Sequence, residues 1–185
     1  MVLSNKLFIF VSGASSSGKT TIVNDLYAHL TILGHRCCVY SEIARYVFEK
    51  RFKETFGSID KLAKDSKMYT IYQQYILCET IDRIKEIMSL RMNDTNIFIF
   101  DRHPIETIAY TLLYSKADDD FKRQFVKTTL ELSYSMAIIP SVCFLVKPLP
   151  FVNDGVRIQG EQKTEYRAIS YLLSYLPWLL KYQVT

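Results

Sequence analysis

The chain has 185 residues, 49% of them hydrophobic, and its 23 Lys and Arg against 19 Asp and Glu leave a formal net charge of +4. That length and apolar content suit one domain, residues 1–185, with a substantial core. The mildly basic balance, with a pI near 8.8, suits phosphorylated ligands without demanding nucleic acid, since the basic residues are scattered along the chain. No apolar run approaches the length of a membrane span, and no basic stretch leads into a long apolar segment at the N-terminus. A cytoplasmic protein without a membrane partner is expected. The four cysteines, Cys37, Cys38, Cys78 and Cys143, form no Cys-x-x-Cys pair and lie in apolar stretches, so they read as reduced core residues.

Residues 7–11, Leu-Phe-Ile-Phe-Val, have the composition and length of a buried strand. Residues 13–20 follow as Gly-Ala-Ser-Ser-Ser-Gly-Lys-Thr, a complete phosphate-binding loop, and residues 20–33 place Ile22, Val23, Leu26, Leu30 and Leu33 near helical spacing. Strand, Gly-rich turn and helix form the context this motif requires. Gly13 and Gly18 let the backbone curl so that the amides around Ala14, Ser15, Ser16, Ser17 and Thr21 face an anion at a helix N-terminus. Lys19 is placed to reach the β- and γ-phosphates of ATP, and Thr20 to hold Mg²⁺ through its hydroxyl.

Residues 36–40 predict a second strand and 43–52 a helix, with Glu42 and Arg45 at the junction. Glu42 is either a catalytic or acceptor-binding carboxylate or a helix first-turn acid capped by Ser41. A long helix is expected over about 61–90. Its Tyr72, Gln73, Tyr75 and Glu79 form either a base-reading surface or ordinary packing. Residues 97–100 predict a third strand that ends in Asp101-Arg102. In an open α/β sheet, ligands bind beyond the carboxyl ends of strands, so Asp101 is a candidate metal ligand or base and Arg102 a candidate for orienting acceptor or phosphate. Of the histidines, His29 and His35 read as surface or capping residues, and His103 stands beside the candidate site.

Helices are expected over 105–115 and 119–135, and a fourth strand over 142–146. Residues 147–160 carry Pro148, Pro150, Gly155 and Gly160 and read as a candidate lid, extended to 147–167 when Lys163 and Arg167 are included. Arg157 and Arg167 are the candidate cations that such a lid would bring to a migrating phosphoryl group. A last helix is expected over 166–180, interrupted at Pro177, and a fifth strand over 181–184. Apolar strands alternating with helices predict a P-loop NTPase fold, a three-layer αβα sandwich around a central parallel sheet of about five strands.

The P-loop at 13–20, Asp101-Arg102 and the late Arg-bearing segment together resemble the P-loop nucleoside and nucleotide kinases. Residues 41–45 with Asp154-Gly155-Val156-Arg157 are similar to nicotinamide riboside kinase-like ATPases. Residues 98–102 with Ile108-Ala109-Tyr110 are similar to thymidylate kinases, and Gln73, Gln74 and Arg83 to deoxynucleoside kinases. The resemblance implies Mg-dependent transfer of the γ-phosphoryl of ATP to a nucleoside-like or nucleoside monophosphate acceptor, with Glu42, Arg45, Tyr72, Gln73 and Arg102 toward the acceptor. A homodimer is compatible with it. Two alternatives remain: a kinase acting on a hydroxyl of nucleic acid, and an ATPase or nucleotide-binding switch. Scattered basic residues disfavour the first, and an Asp101 followed by Arg102 rather than a second acid disfavours the other.

Overall fold

The computed structural model describes residues 6–41, 43–89, 96–137, 139–148, 162–177 and 179–184. Five strands form one parallel sheet: β1 (Leu7–Gly13), β2 (Cys37–Tyr40), β3 (Ile97–Asp101), β4 (Ser141–Val146) and β5 (Leu180–Val184), in the order β2-β3-β1-β4-β5. The connections are helical: α1 (Lys19–Ile32), α2 (Ile43–Arg51), α3 (Lys53–Phe56), α4 (Ile59–Lys64), α5 (Ser66–Ser89), α6 (Glu106–Tyr114), α7 (Asp119–Ser135) and α8 (Gln162–Ser174).

The period-2 alternation of side chains sorts the sheet's two faces by shape. Phe8 and Phe10 of β1 stack with Phe98 and Phe100 of β3 on one face, with ring centroids 5.4 to 6.0 Å apart. That face carries the larger core, closed by Phe48, Leu62, Ile84, Ile108, Phe125 and Leu173 from six helices. Ile9, Val11, Ile97 and Ile99 point the other way, where Val23 of α1 covers them with Ile22, Leu26 and Leu30 beside it. Helices on both faces make the three-layer sandwich expected from the sequence.

Strand bounds follow the sequence reading within two residues, and two helical expectations need correction. The helix expected over about 61–90 is broken at Asp65, whose extended backbone separates α4 from α5. Its Oδ1 accepts the Met68 amide at 3.0 Å, and a side chain that caps a new helix ends the old one. The last helix runs from Gln162 to Ser174 rather than to residue 180. Pro177 offers no amide and disfavours helical backbone before it, which frees the chain to enter β5. The cysteines are free as expected, but Cys143 alone is buried; Cys37 and Cys38 are half-buried and Cys78 is exposed on α5. Among the described residues, no helix is long and apolar enough to cross a membrane.

Register is what positions the site. β1 pairs Val11 with Asp101 on one side and Gly13 with Val146 on the other. Gly13 has φ +151, and a Cβ there would stand 2.7 Å from the Val146 carbonyl oxygen. Backbone approaches backbone at that point, so no flexible side chain can yield. Gly13→Ala is expected to cost about 2–4 kcal/mol, from backbone strain plus overpacking, measured as a lower denaturant midpoint at unchanged m-value.

Candidate functional site

The phosphate loop begins where β1 ends. Ser16 at φ 58 and Gly18 at φ 85 place left-handed residues on either side of Ser17, the alternation from which amide-lined anion sites are built. Gly18 is also the N-cap of α1, and it has no side chain with which to cap the first-turn amides.

Lys19 is buried, and its ammonium donates to the Ala14 carbonyl within the loop. Burial lowers its pKa to about 7 and the Arg102 charge reinforces this, while Glu106, Asp101 and Glu165 pull upward. Thr20 Oγ1 donates to Asp101 Oδ2 at 2.9 Å, which links the loop to the end of β3. Asp101 Oδ1 is buried without a hydrogen-bond partner among the described residues. A carboxylate oxygen left open beside a hydroxyl is the hard-oxygen pair that suits Mg²⁺, so Thr20 and Asp101 fit that ion.

Arg102 sits in strained backbone at φ 100, held by its amide on the Val11 carbonyl at 3.0 Å. Strain of this kind persists where the surroundings over-determine a residue, and here the side chain is over-determined too. Its NH1 donates to Glu106 Oε2 at 2.7 Å and to the Tyr110 hydroxyl at 2.8 Å. Burial opposes the guanidinium charge, but Tyr110, Glu106 and Asp101 outweigh it and hold the pKa above its ordinary value. His103 next to it is a buried turn residue. Its amide donates to Ser12 Oγ, its Nδ1 accepts from the Ile105 amide, and its ring stands edge-on to Phe10. Burial lowers its pKa to about 3, which keeps the ring neutral.

The remaining expected residues divide by location. Glu42 and Arg157 lie outside the described residues, as does most of the candidate lid; residues 162–167 open α8. Thr21 and Arg45 are exposed on α1 and α2. Arg167 is exposed and lines an open cleft of about 310 Å³ with Lys147, Pro148, Lys163 and Tyr166. Tyr72 is buried against Phe48, Phe52 and Tyr69, and its hydroxyl donates to the Ala44 carbonyl at 2.8 Å. Gln73 is buried beside it on α5.

Sequence reasoning missed Ser12, Glu106, Gln162 and Glu165. A signal for Glu106 existed: Arg102, Glu106, Tyr110 and Tyr114 recur at four-residue spacing, one face of a helix starting at a candidate site. Nothing local marked Glu165, which reaches the loop from 150 residues away along the chain.

A family model described as an AAA domain matches residues 8–174, a span that holds the phosphate loop, Asp101, Arg102 and α8. The chain belongs to the AAA domain family. The fold of this AAA domain is similar to that of thymidylate kinase from Ehrlichia chaffeensis, with a TM-score of 0.58 and 15% identity over 97% of this chain and 93% of that one. No curated protein matches it.

The lowered Lys19 pKa would make binding of a polyphosphate proton-linked. Above pH 7 Lys19 is mostly neutral, whereas a polyphosphate favours the ammonium and raises its pKa. Binding of an ATP analogue at about pH 8.5 is therefore expected to take up about one proton, and almost none at about pH 6, so affinity falls as pH rises above about 7. Calorimetry in two buffers of different ionisation enthalpy reads the uptake directly, and Lys19→Met should abolish it.

Proposed function

We propose that this AAA domain is a single-domain kinase that transfers the γ-phosphoryl of ATP, with Mg²⁺, to a nucleoside-like or nucleoside monophosphate acceptor. The observation that carries this reading is the Thr20–Asp101 contact at 2.9 Å, with the second carboxylate oxygen buried and unpartnered among the described residues. Loop and strand end thus present one cation-holding pair. The bound Mg²⁺ would neutralise charge on the donor's phosphate oxygens.

The chain's own residues would divide the remaining work. Loop amides other than that of Ser15, which Glu165 engages, would cradle the phosphates, and Lys19 adds a charge that it can take up on binding. Because Asp101 Oδ2 is engaged by Thr20, Asp101 is better suited to the metal and Glu42 to the acceptor's proton. Arg102 is held by Glu106 and Tyr110, so its direction is set before any ligand arrives, as orientation of an acceptor requires. Tyr72 bonds the first turn of α2 at Ala44 and would steady Arg45 toward the same acceptor, with Gln73 behind it. Arg157 and Arg167 would supply charge to the migrating group. The enzyme whose fold is similar is named for thymidylate, a nucleotide, which supports this acceptor class.

Incubation with Mg-ATP labelled at the γ-phosphate and a panel of nucleosides, nucleoside monophosphates, nicotinamide riboside and short DNA tests the reading. Label on a nucleoside or nucleotide supports it. Label on DNA points to a nucleic-acid kinase, and inorganic phosphate alone points to a hydrolytic switch. With the acceptor in hand, Asp101→Asn should lower kcat on the order of a hundredfold while circular dichroism stays unchanged. A Glu42→Gln enzyme at full rate would move the base role to Asp101.

A further inference from the structure

Ser15 sits inside the phosphate loop, yet none of its polar groups is left for a ligand. Its amide donates to Glu165 Oε2 at 2.6 Å, and its carbonyl accepts from Gln162 Nε2 at 3.0 Å. Its hydroxyl lies 3.2 Å from the Tyr110 hydroxyl. Two of these partners stand on the first turn of α8 and the third on α6.

Glu165 is only 2% exposed, and a carboxylate is buried this deeply only when its oxygens are satisfied. Tyr114 donates to Oε1, while the Ser15 amide and, at 3.4 Å, the Tyr110 hydroxyl serve Oε2. An N–H to carboxylate bond is charge-assisted and stronger than a neutral one. The negative charge also stands beside a loop whose other amides favour anions. It takes the Ser15 amide out of the phosphate-binding set and repels phosphate from that end, toward the amides nearer Gly18 and Lys19. Tyr110 accepts from Arg102 as well, so one hydroxyl connects the loop clamp to the strained arginine.

We propose that Glu165 and Gln162 are positioning residues that clamp the Ser15 peptide from both sides, so that helix α8 sets the shape of the phosphate loop and, through it, donor affinity. The inference rests on the reading of residues 13–20 as the ATP site. It adds a long-range determinant of that site which touches no phosphate.

The test measures affinity for a fluorescent ATP analogue with Mg²⁺, thermal midpoint, and hydrogen exchange at the Ser15 amide in the full chain. Gln162 is half-buried and contacts the loop through one bond, so Gln162→Ala should weaken the analogue about fivefold with little change in midpoint. Gln162→Glu, which sets a carboxylate against the Ser15 carbonyl, should weaken it further. Glu165→Gln keeps the size and one acceptor oxygen. It should bind the analogue more weakly than wild type but more tightly than Glu165→Ala, because loss of the loop's shape outweighs relief of the repulsion, and it should release the Ser15 amide to faster exchange. Leu172→Ala on the buried face of the same helix controls for stability alone: it should lower the midpoint and leave affinity unchanged. Wild-type affinity in both Gln162 variants, or a Leu172→Ala loss as large as theirs, overturns the clamp. A wild-type protein that binds no analogue removes the ATP-site reading instead, a different result from analogue binding that is indifferent to the clamp.

Discussion

Strand β1 is paired on both edges, and that double pairing decides what surrounds the phosphate loop. β3 brings Asp101 level with Val11, and β4 brings the Val146 carbonyl against Gly13. A parallel ladder sets the relative height of its strands through evenly spaced hydrogen bonds, and a slip of one residue would turn every side chain to the opposite face. The phenylalanines and β-branched residues, sorted onto opposite faces of β1 and β3, oppose such a slip. The contact between Thr20 and Asp101 is thus a product of core packing several residues below it.

Beyond the strand ends the problem becomes one of charge. Lys19 is buried in the fields of Arg102, Asp101, Glu106 and Glu165. Taking charges out of water is tolerable only with close partners, and removing one member of a buried pair leaves the other exposed to the full penalty. Arg102 is the best provided, with Glu106 and Tyr110 on one nitrogen. Lys19 is the least: its bond is to a neutral carbonyl, and burial, reinforced by the Arg102 charge, lowers its proton affinity. An incoming polyphosphate would complete an arrangement that is short of one anion next to Lys19.

Helix α6 joins the two regions. Glu106, Tyr110 and Tyr114 lie one turn apart along it, and each bonds to something from another element: Arg102 after β3, Ser15 in the loop, Glu165 on α8. Aromatic hydroxyls suit this position because the ring packs while the oxygen reaches a polar partner. Burial raises the Tyr110 pKa to about 12, which keeps its proton available for donation.

The strands, the phosphate loop, the acid and arginine at the end of β3, and the α/β class are all legible in the amino-acid sequence. These are local signals: continuous apolar runs, glycine spacing around Lys19 and Thr20, and the period of the helices. Asp65 escaped that reading because a capping aspartate inside an apolar period looks like one more exposed helical residue until its side chain is seen on the Met68 amide. Tyr72 was ambiguous for a related reason, since helical spacing cannot say whether a ring faces a ligand or Phe48 and Phe52. Only the tertiary structure decided that Asp101 stands on Thr20, that Arg102 is locked by Glu106, and that Glu165 holds Ser15. Those contacts join residues whose adjacency comes from strand order and helix docking, and no local pattern encodes a distance across a sheet.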